Sequence, residues 1–391
     1  TVVGLCIFLA YGTTASVARH VGAGDRRRAL EQGVDGLWLA VAIGVLATVA
    51  GVLLTGPLVG AFGVSGAVAE QARTYLRLAF LGTTPLLLML AATGVLRGLQ
   101  DTRTPLVVAV SGNALNIVLN LTLVYGAGPL PRLDIAGSAL GSVLAQVLSA
   151  AALLAVVIRG ARREGAALRP DLAGIRAAAH AAVALVIRTL TLRAALIVTT
   201  YAVVLATAGD DRAVAAHQLA FTIWGFLAFV LDAVAIAAQA LTGRYLGAGD
   251  ADTARAVTER MIRWGALSGV ATGVLLAAAS PVLGVLFTPD PDVRALLTPV
   301  LVVAALGQPV AGVVFVLDGV LIGAGDGTYL AKAGLLVLVV YAPVVLAVAA
   351  TVTTHGLLWV WVAFAGLFMV ARAVVLLRRE RGDAWLVLGA R

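Results

Sequence analysis

The sequence predicts an all-α, polytopic membrane protein made of two parallel six-helix repeats, eleven helices of which lie in this chain. Of the 391 residues, 61% are hydrophobic and only 12% are charged, and the mean hydropathy is +1.01. A soluble globule of this composition would have a large surplus of apolar surface. Short motifs also recur along the chain at one fixed distance, which indicates an internal repeat.

The repeat consists of two motifs. Gly-Ala-Gly-Asp at residues 22–25 recurs at residues 247–250. Gly-Val-Leu, followed by a glycine and an aspartate, occupies residues 94–101 and recurs at residues 319–326. Matched positions are 225 residues apart in both cases. This period is far too long for a solenoid and is typical of the duplicated halves of membrane transport proteins.

Apolar segments of about 20 residues, each long enough to cross a hydrocarbon core of about 30 Å, give the helices. In chain order the predicted spans are 1–18, 39–61, 76–96, 105–125, 135–158, 183–207, 213–241, 264–286, 295–322, 333–351 and 357–377. The span at 183–207 opens the second repeat, and its counterpart 225 positions earlier would precede residue 1. We therefore expect the first helix of the first repeat to be missing. Six helices are an even number, which predicts parallel repeats.

The predicted domains follow from the longest polar stretch between spans. We expect an N-terminal lobe over residues 1–159, a cytoplasmic linker over 160–182 and a C-terminal lobe over 183–391. Within the linker, residues 173–182 are expected to form a helix on the inner membrane face.

The basic residues set the orientation. Most of the 28 fall in connections on one side of the membrane, at residues 19–28, 97–103, 159–176, 244–263 and 323–332 and in the C-terminal tail. The positive-inside rule makes that side, and the C-terminus, cytoplasmic. The net charge of +8 is therefore explained by the topology of the protein in a plasma membrane. The sequence has no run of basic residues interleaved with aromatic residues, so it gives no indication of nucleic-acid binding. We expect a monomer in the lipid bilayer.

Ionisable groups inside spans are costly and are therefore candidates for function. The sequence places four there: Arg188, Arg193, Asp232 and Asp318. Asp232 is expected near the midplane and Asp318 closer to the cytoplasmic edge. Either carboxylate could bind and release a proton as its hydration changes. The structural alternative is that Asp232 forms an ion pair with Arg193 or Arg188 on the preceding helix.

Amides form the second cluster of candidates. Asn113, Asn116 and Asn120 share one stripe of a helix, and Ser138, with Ser142 and Gln146, repeats a spacing of four on the next helix. Such amides could coordinate a cation or a substrate, or could join helices as hydrogen-bond glue. We interpret His217 and Gln218, at the outer end of their helix, as a capping or gating contact. No second histidine or cysteine lies at metal-ligand spacing, so we expect neither a metal site nor a cofactor.

These motifs together resemble the multidrug and toxic compound extrusion (MATE) transporters, particularly their DinF-type branch. The resemblance rests on segments 97–105, 113–120, 215–218, 231–241 and 317–323, which include Asp232, Gln239 and Asp318. It runs from the family's second helix to its twelfth.

The resemblance implies two lobes around a central cavity and export of cationic or amphipathic organic compounds, driven by inward H⁺ or Na⁺. Two departures favour protons. The family's coupling carboxylate on its first helix falls before residue 1. Its Asn-x-x-x-Asp pair, implicated in cation binding, reads Asn116 and Asn120 here.

Three alternatives are less consistent with the residues. A major facilitator protein would continue its basic loop as Asp-Arg-x-Gly-Arg, whereas residues 25–29 read Asp-Arg-Arg-Arg-Ala. A flippase for lipid-linked precursors would need a strongly basic cavity, for which only Arg188 and Arg193 are available. An enzyme would need a nucleophile with its base or paired carboxylates on a metal, and the Asp210-Asp211 pair is isolated in an outer loop. We therefore expect no enzymatic activity.

Overall fold

The computed structural model describes residues 7–126 and 131–390. This part of the chain is all-helical, with eleven helices, which confirms the predicted fold class. They are α1 (Phe8–Gly22), α2 (Arg26–Ala61), α3 (Gly66–Gly98), α4 (Arg103–Tyr125), α5 (Asp134–Arg163), α6 (Leu172–Ala206), α7 (Asp211–Gly247), α8 (Ala251–Phe287), α9 (Pro291–Gly323), α10 (Gly327–Thr351) and α11 (Gly356–Glu380). Helices α2 to α11 are long and apolar enough to cross a membrane. The first predicted span begins at residues outside the described part.

The chain divides into two compact units between Ala182 and Val183. Unit 1 contains α1 to α5 and the start of α6, and unit 2 contains the rest of α6 and α7 to α11. The residues between α5 and α6 that are outside any helix are 164–171. The inner-face helix expected at 173–182 and the span expected at 183–207 are one continuous helix.

The third predicted span, 76–96, is corrected by the structure. Helix α3 begins ten residues earlier, at Gly66, and is interrupted at Gly82. Pro85 explains the interruption, because proline has no N–H to donate to the carbonyl four residues before it and its ring clashes with that carbonyl. Beside the interruption, the carbonyl of Phe80 accepts a hydrogen bond from Thr48 Oγ1 of α2 at 3.0 Å.

The repeated Gly-Ala-Gly-Asp motif forms the same helix-to-helix corner in both units. Gly24 and Gly249 have φ of +80° and +77°, a left-handed conformation that glycine adopts without strain. The aspartate that follows caps the next helix in each unit. Asp25 accepts a hydrogen bond from the Arg28 N–H, and Asp250 accepts one from the Thr253 N–H, both at 2.9 Å.

The second repeated motif packs two helices closely in each unit. A Cβ on Gly94 would lie 2.6 Å from the carbonyl oxygen of Ala10, and a Cβ on Gly319 would lie 2.2 Å from that of Ala235. Ala10 and Ala235 are themselves 225 positions apart. Small residues that let helix backbones touch are the usual basis of helix association in membranes. The two units therefore repeat a tertiary contact as well as a sequence.

Helix α9 is the centre of unit 2. Its leucines Leu297, Leu301, Leu317 and Leu321 are fully buried, and glycines of α8 approach its backbone. Because α9 is enclosed on several sides, any charge that it carries must find its partner inside the unit.

Candidate functional site

Two asparagines of α4 join that helix to α5 in unit 1. Asn116 Nδ2 donates a hydrogen bond to Ser142 Oγ at 3.2 Å, and Asn120 Nδ2 donates one to Asn116 Oδ1 at 3.3 Å. Asn120 Oδ1 is buried and accepts no hydrogen bond within the described residues. It lies so close to Gly141 that a Cβ there would be 2.5 Å away. The bond between Asn116 and Ser142 thus joins the two helices, and Asn120 is bonded to Asn116 within α4.

The other polar residues predicted for this cluster lie at its edge. Asn113 is exposed on α4, and Ser138 is half-buried on α5, one turn before Ser142. The hydrogen-bonded part of the predicted stripe therefore consists of Asn116 and Asn120.

Unit 2 contains a buried cluster of three charged side chains. Asp318 Oδ2 lies 2.7 Å from Arg188 Nη2 and also accepts a hydrogen bond from Arg372 Nη2. The exposed fractions of the side chains are 8% for Asp318, 13% for Arg188 and 10% for Arg372. One carboxylate oxygen therefore holds guanidinium groups from two other helices.

The three charges come from three helices, α6, α9 and α11. Arg372 follows a π-helical segment of α11, Ala363–Phe368, and such segments often mark functional sites in helices. The guanidinium carbon of Arg372 lies 5.7 Å from the centre of the Phe368 ring, within cation–π range. A small cavity borders the cluster.

The structure places the other predicted charges of unit 2 differently. Asp232 is half-buried on α7, and Arg193 is exposed on α6. Arg188, one of the two partners considered for Asp232, lies 2.7 Å from Asp318.

His217 is completely buried and uses both ring nitrogens. Trp361 Nε1–H donates to Nδ1 at 3.1 Å, so Nδ1 carries no proton. Nε2 therefore carries the proton of the neutral ring and donates to Thr200 Oγ1, also at 3.1 Å. His217 thus joins α7 to α6 and α11 within an aromatic cluster that includes Phe221 and Phe364. The described residues contain no group that could hold a metal ion.

The two predicted glutamines of α7 occupy opposite environments. Gln218 is exposed next to His217, whereas Gln239 is 1% exposed. A Cβ on Gly323 would lie 2.3 Å from the carbonyl oxygen of Gln239, so α7 and α9 touch at this point.

Three buried charges of the described residues, Arg19, Asp35 and Arg372, were not among the predicted candidates. Arg372 lies inside the span predicted at 357–377, so its position in the sequence already makes it an intramembrane charge. The orientation argument nevertheless assigns it to the cytoplasmic C-terminal tail. Asp35 lies just before the span predicted at 39–61, is 4% exposed, and accepts a hydrogen bond from the Asp171 N–H at 3.1 Å. Asp35 therefore holds the segment between α5 and α6 against α2.

The family model MatE matches residues 1–122 and 190–351, which is most of the chain. The chain belongs to the MatE family. The MATE resemblance of the motifs is thereby confirmed.

Curated relatives support the family assignment. The chain is 28% identical over 373 residues to "Protein DETOXIFICATION 45, chloroplastic" of Arabidopsis thaliana, which covers 92% of this chain and 63% of the relative. It is 32% identical over 308 residues to "Protein DETOXIFICATION 44, chloroplastic" of the same plant, covering 78% and 56%. It is 29% identical over 332 residues to "DNA damage-inducible protein F" of Escherichia coli, covering 83% and 70%. The chain thus spans about three fifths of the length of the two plant relatives.

Solved structures share the fold. A MOP superfamily transporter from Pyrococcus furiosus, described as having a binding pocket of reverse polarity, has a TM-score of 0.87 at 21% identity. The alignment covers 98% of this MatE chain and 85% of that one. A MATE in complex with MaL6 gives the same TM-score and identity, covering 98% and 86%.

Proposed function

We propose that this MatE protein is a proton-coupled antiporter that exports cationic or amphipathic organic compounds by alternating access. The observation that supports the choice of ion is the identity of the polar groups within the spans. Asn120 is a neutral amide where the resemblance leads one to expect an aspartate, and Asn116 matches the family's asparagine, so this cluster lacks the negative charge that favours a bound Na⁺.

Asp232 is the proposed site of proton binding. Asp318 is held by two arginines, and neutralising it would leave two guanidinium groups without their carboxylate inside the protein. Asp232 is only half-buried, so its hydration can change as the transporter changes conformation. The free energy available to such a site is about 2.3 kcal/mol per charge for each 100 mV. A pH gradient adds about 1.4 kcal/mol per pH unit.

The proposed location is the plasma membrane, with the C-terminus in the cytoplasm. The distribution of basic residues supports this orientation. The flippase alternative gains one buried guanidinium from Arg372. That group shares Asp318 with Arg188, however, and the adjoining cavity is too small for a lipid-linked precursor. We therefore retain drug export as the proposal.

The test uses the protein in liposomes loaded with a fluorescent cationic dye. We expect an imposed pH gradient to drive dye transport and a sodium gradient of the same size to drive none. Asp232→Asn should insert at normal abundance and lose proton-driven transport, because it keeps the shape of the side chain but cannot titrate. Arg193→Gln, an exposed charge on α6, is the matched control and should transport normally. Sodium-driven transport at equal pH would refute proton coupling, and full activity of Asp232→Asn would remove Asp232 from the mechanism.

A further inference from the structure

We propose that Asp35 of α2 is a positioning residue for transport. It fastens residues 164–171, here called the strap, and so fixes the start of α6 on α2. This role involves no contact with a transported compound or a coupling ion. The proposal rests on the proposed function only in using export of an organic cation as its transport readout.

Asp35 is the most buried of the side chains that hold the strap. It is 4% exposed, and its Oδ1 accepts a hydrogen bond from the Asp171 N–H at 3.1 Å. Its other oxygen borders the first turn of α6, where a Cβ on Gly174 would lie 2.0 Å from Oδ2. Asp171 itself caps α6, since its Oδ1 accepts a hydrogen bond from the Ala173 N–H at 3.1 Å. One carboxylate thus holds the last residue of the strap beside the beginning of the helix.

Two further side chains of α2 hold the strap on either side of Asp35. Glu31 Oε1 accepts a hydrogen bond from the Ala167 N–H at 3.3 Å, and Trp38 Nε1 donates one to the Leu168 carbonyl at 3.1 Å. Spacings of four and three residues place the three side chains on one stripe of α2. The strap therefore lies along α2 as a fixed segment and does not act as a free tether.

The fastening is not part of the internal repeat. The positions of α8 that match these three, 225 residues later, are Ala256, Arg260 and Arg263. None of them is a carboxylate or an indole. The duplicated helix thus lacks these groups, which ties them to the strap rather than to the helix itself.

The position of α6 connects the strap with transport. Unit 1 ends and unit 2 begins within this helix, between Ala182 and Val183. Alternating access commonly proceeds by movement of one repeat as a largely rigid body. The first turns of α6 move with unit 1 only while the strap stays on α2. Loss of Asp35 would free the N-terminal end of α6, so we expect transport to fail although the helices remain folded.

Hydrogen exchange of the purified protein in detergent tests the fastening without any transport. In Asp35→Ala the amides of the strap should exchange at least about tenfold faster than in the wild type, because a hydrogen bond to a carboxylate is lost. Arg260→Ala, at the matching exposed position of α8, is the control and should leave this exchange unchanged. Equal exchange in Asp35→Ala and the wild type would overturn the proposal.

A disulfide in place of Asp35 separates positioning from folding. The Cβ positions of residues 35 and 174 are 3.5 Å apart, within the disulfide range of about 3.5–4.5 Å. In a Cys6→Ala chain, Asp35→Cys with Gly174→Cys should transport the cationic dye in liposomes at the rate of the Cys6→Ala parent when oxidised. It should lose most of this transport when reduced. Both states come from one folded preparation, so misfolding cannot cause the difference.

A second cysteine pair is the matched control. The Cβ positions of Thr13 and Gly36 are 3.7 Å apart, and Thr13→Cys with Gly36→Cys links α2 to α1 instead of α6. We expect this pair to transport equally in both redox states.

The outcomes distinguish this proposal from the proposed function. Equal transport by the oxidised and reduced forms of the Asp35 pair would overturn the proposal, as would transport by the reduced form alone. No dye transport by the wild type would instead refute the proposed function, and it would leave the exchange result unaffected. If Asp35→Ala does not fold, reduction of the oxidised cysteine pair supplies the released strap for both measurements.

Discussion

Gly323 touches the backbone of Gln239, and this contact joins α9 to α7 in unit 2. A Cβ at Gly323 would lie 2.3 Å from the Gln239 carbonyl oxygen. At the matching position in unit 1, a Cβ on Gly98 would lie 2.9 Å from the Thr14 carbonyl oxygen. Thr14 and Gln239 are 225 positions apart, as are the two glycines. The repeat therefore preserves the backbone contact while the side chain of the contacted residue changes.

Gly323→Ala should destabilise the protein, because the added methyl group meets a backbone carbonyl that has no room to move. The expected loss is about 1–3 kcal/mol. Gly225→Ala on α7 is the control, since no atom lies within 4 Å of the added Cβ. Alanine at an open helical position should stabilise by about 0.5–1 kcal/mol. Denaturant unfolding in detergent would measure both, and equal stability of the two variants would contradict the packing role.

Gln100 and Gly325 form a natural pair for testing backbone strain. Both lie in the left-handed region at the end of the second repeated motif, with φ of +65° and +73°. Gln100→Gly should stabilise the protein and Gly325→Gln should destabilise it, each by about 1–2 kcal/mol. Unfolding curves of the two variants, measured under one set of conditions, should shift in opposite directions. Shifts of the same sign would show that another effect dominates at this corner.

The contribution of Asp250 to the free energy of unfolding should depend on pH. Hydrogen bonds from the side chain and the backbone N–H of Thr253 hold the pKa of Asp250 below its ordinary value. A lowered folded-state pKa contributes stability at neutral pH that is lost as the pH falls through that pKa. The free-energy difference between the wild type and Asp250→Ala should therefore be largest above about pH 5 and shrink on acidification. A difference that grows in acid would contradict the capping role.

Trp385 should be the main anchor of the C-terminal segment. It is completely buried and donates from Nε1 to the Glu380 carbonyl at 2.8 Å, and nearby the Gly389 N–H donates to the Leu246 carbonyl at 2.9 Å. Trp385→Ala should cost about 3–5 kcal/mol. Trp385→Phe, which keeps most of the ring and loses the hydrogen bond, should cost about 1 kcal/mol from that bond. Trp264→Ala, at a side chain that is 59% exposed, is the control and should change the unfolding temperature far less.

The sequence predicted the helices well because bilayer thickness requires long apolar segments and because charge and proline interrupt them. The repeated Gly-Ala-Gly-Asp motif, used there only as evidence for the duplication, forms a corner in each unit. Gly24 and Asp25 carry a local conformation and a local cap, so neighbouring residues alone determine the turn. The start of α3 was missed because its first turns carry Glu70 and Arg73, which lower the hydropathy of residues that the structure nevertheless places in the helix.

The amide cluster shows where sequence periodicity is sufficient and where it is not. A spacing of four placed Asn116 and Asn120 on one face of α4, and their hydrogen bond confirms that face. Asn113 lies on the same predicted stripe yet is exposed, because the crossing of α4 and α5 covers only part of it.

The sequence by itself determined the membrane class, the duplication and the presence of rare charges within the spans, since each depends on composition or on order along the chain. Only the tertiary structure decided that Asp318 is shared by Arg188 and Arg372, which are 130 and 54 residues away from it. No local pattern encodes that cluster. It depends on how α6, α9 and α11 pack, and on the cost of a buried charge, which is lowered only when oppositely charged groups from separate helices meet.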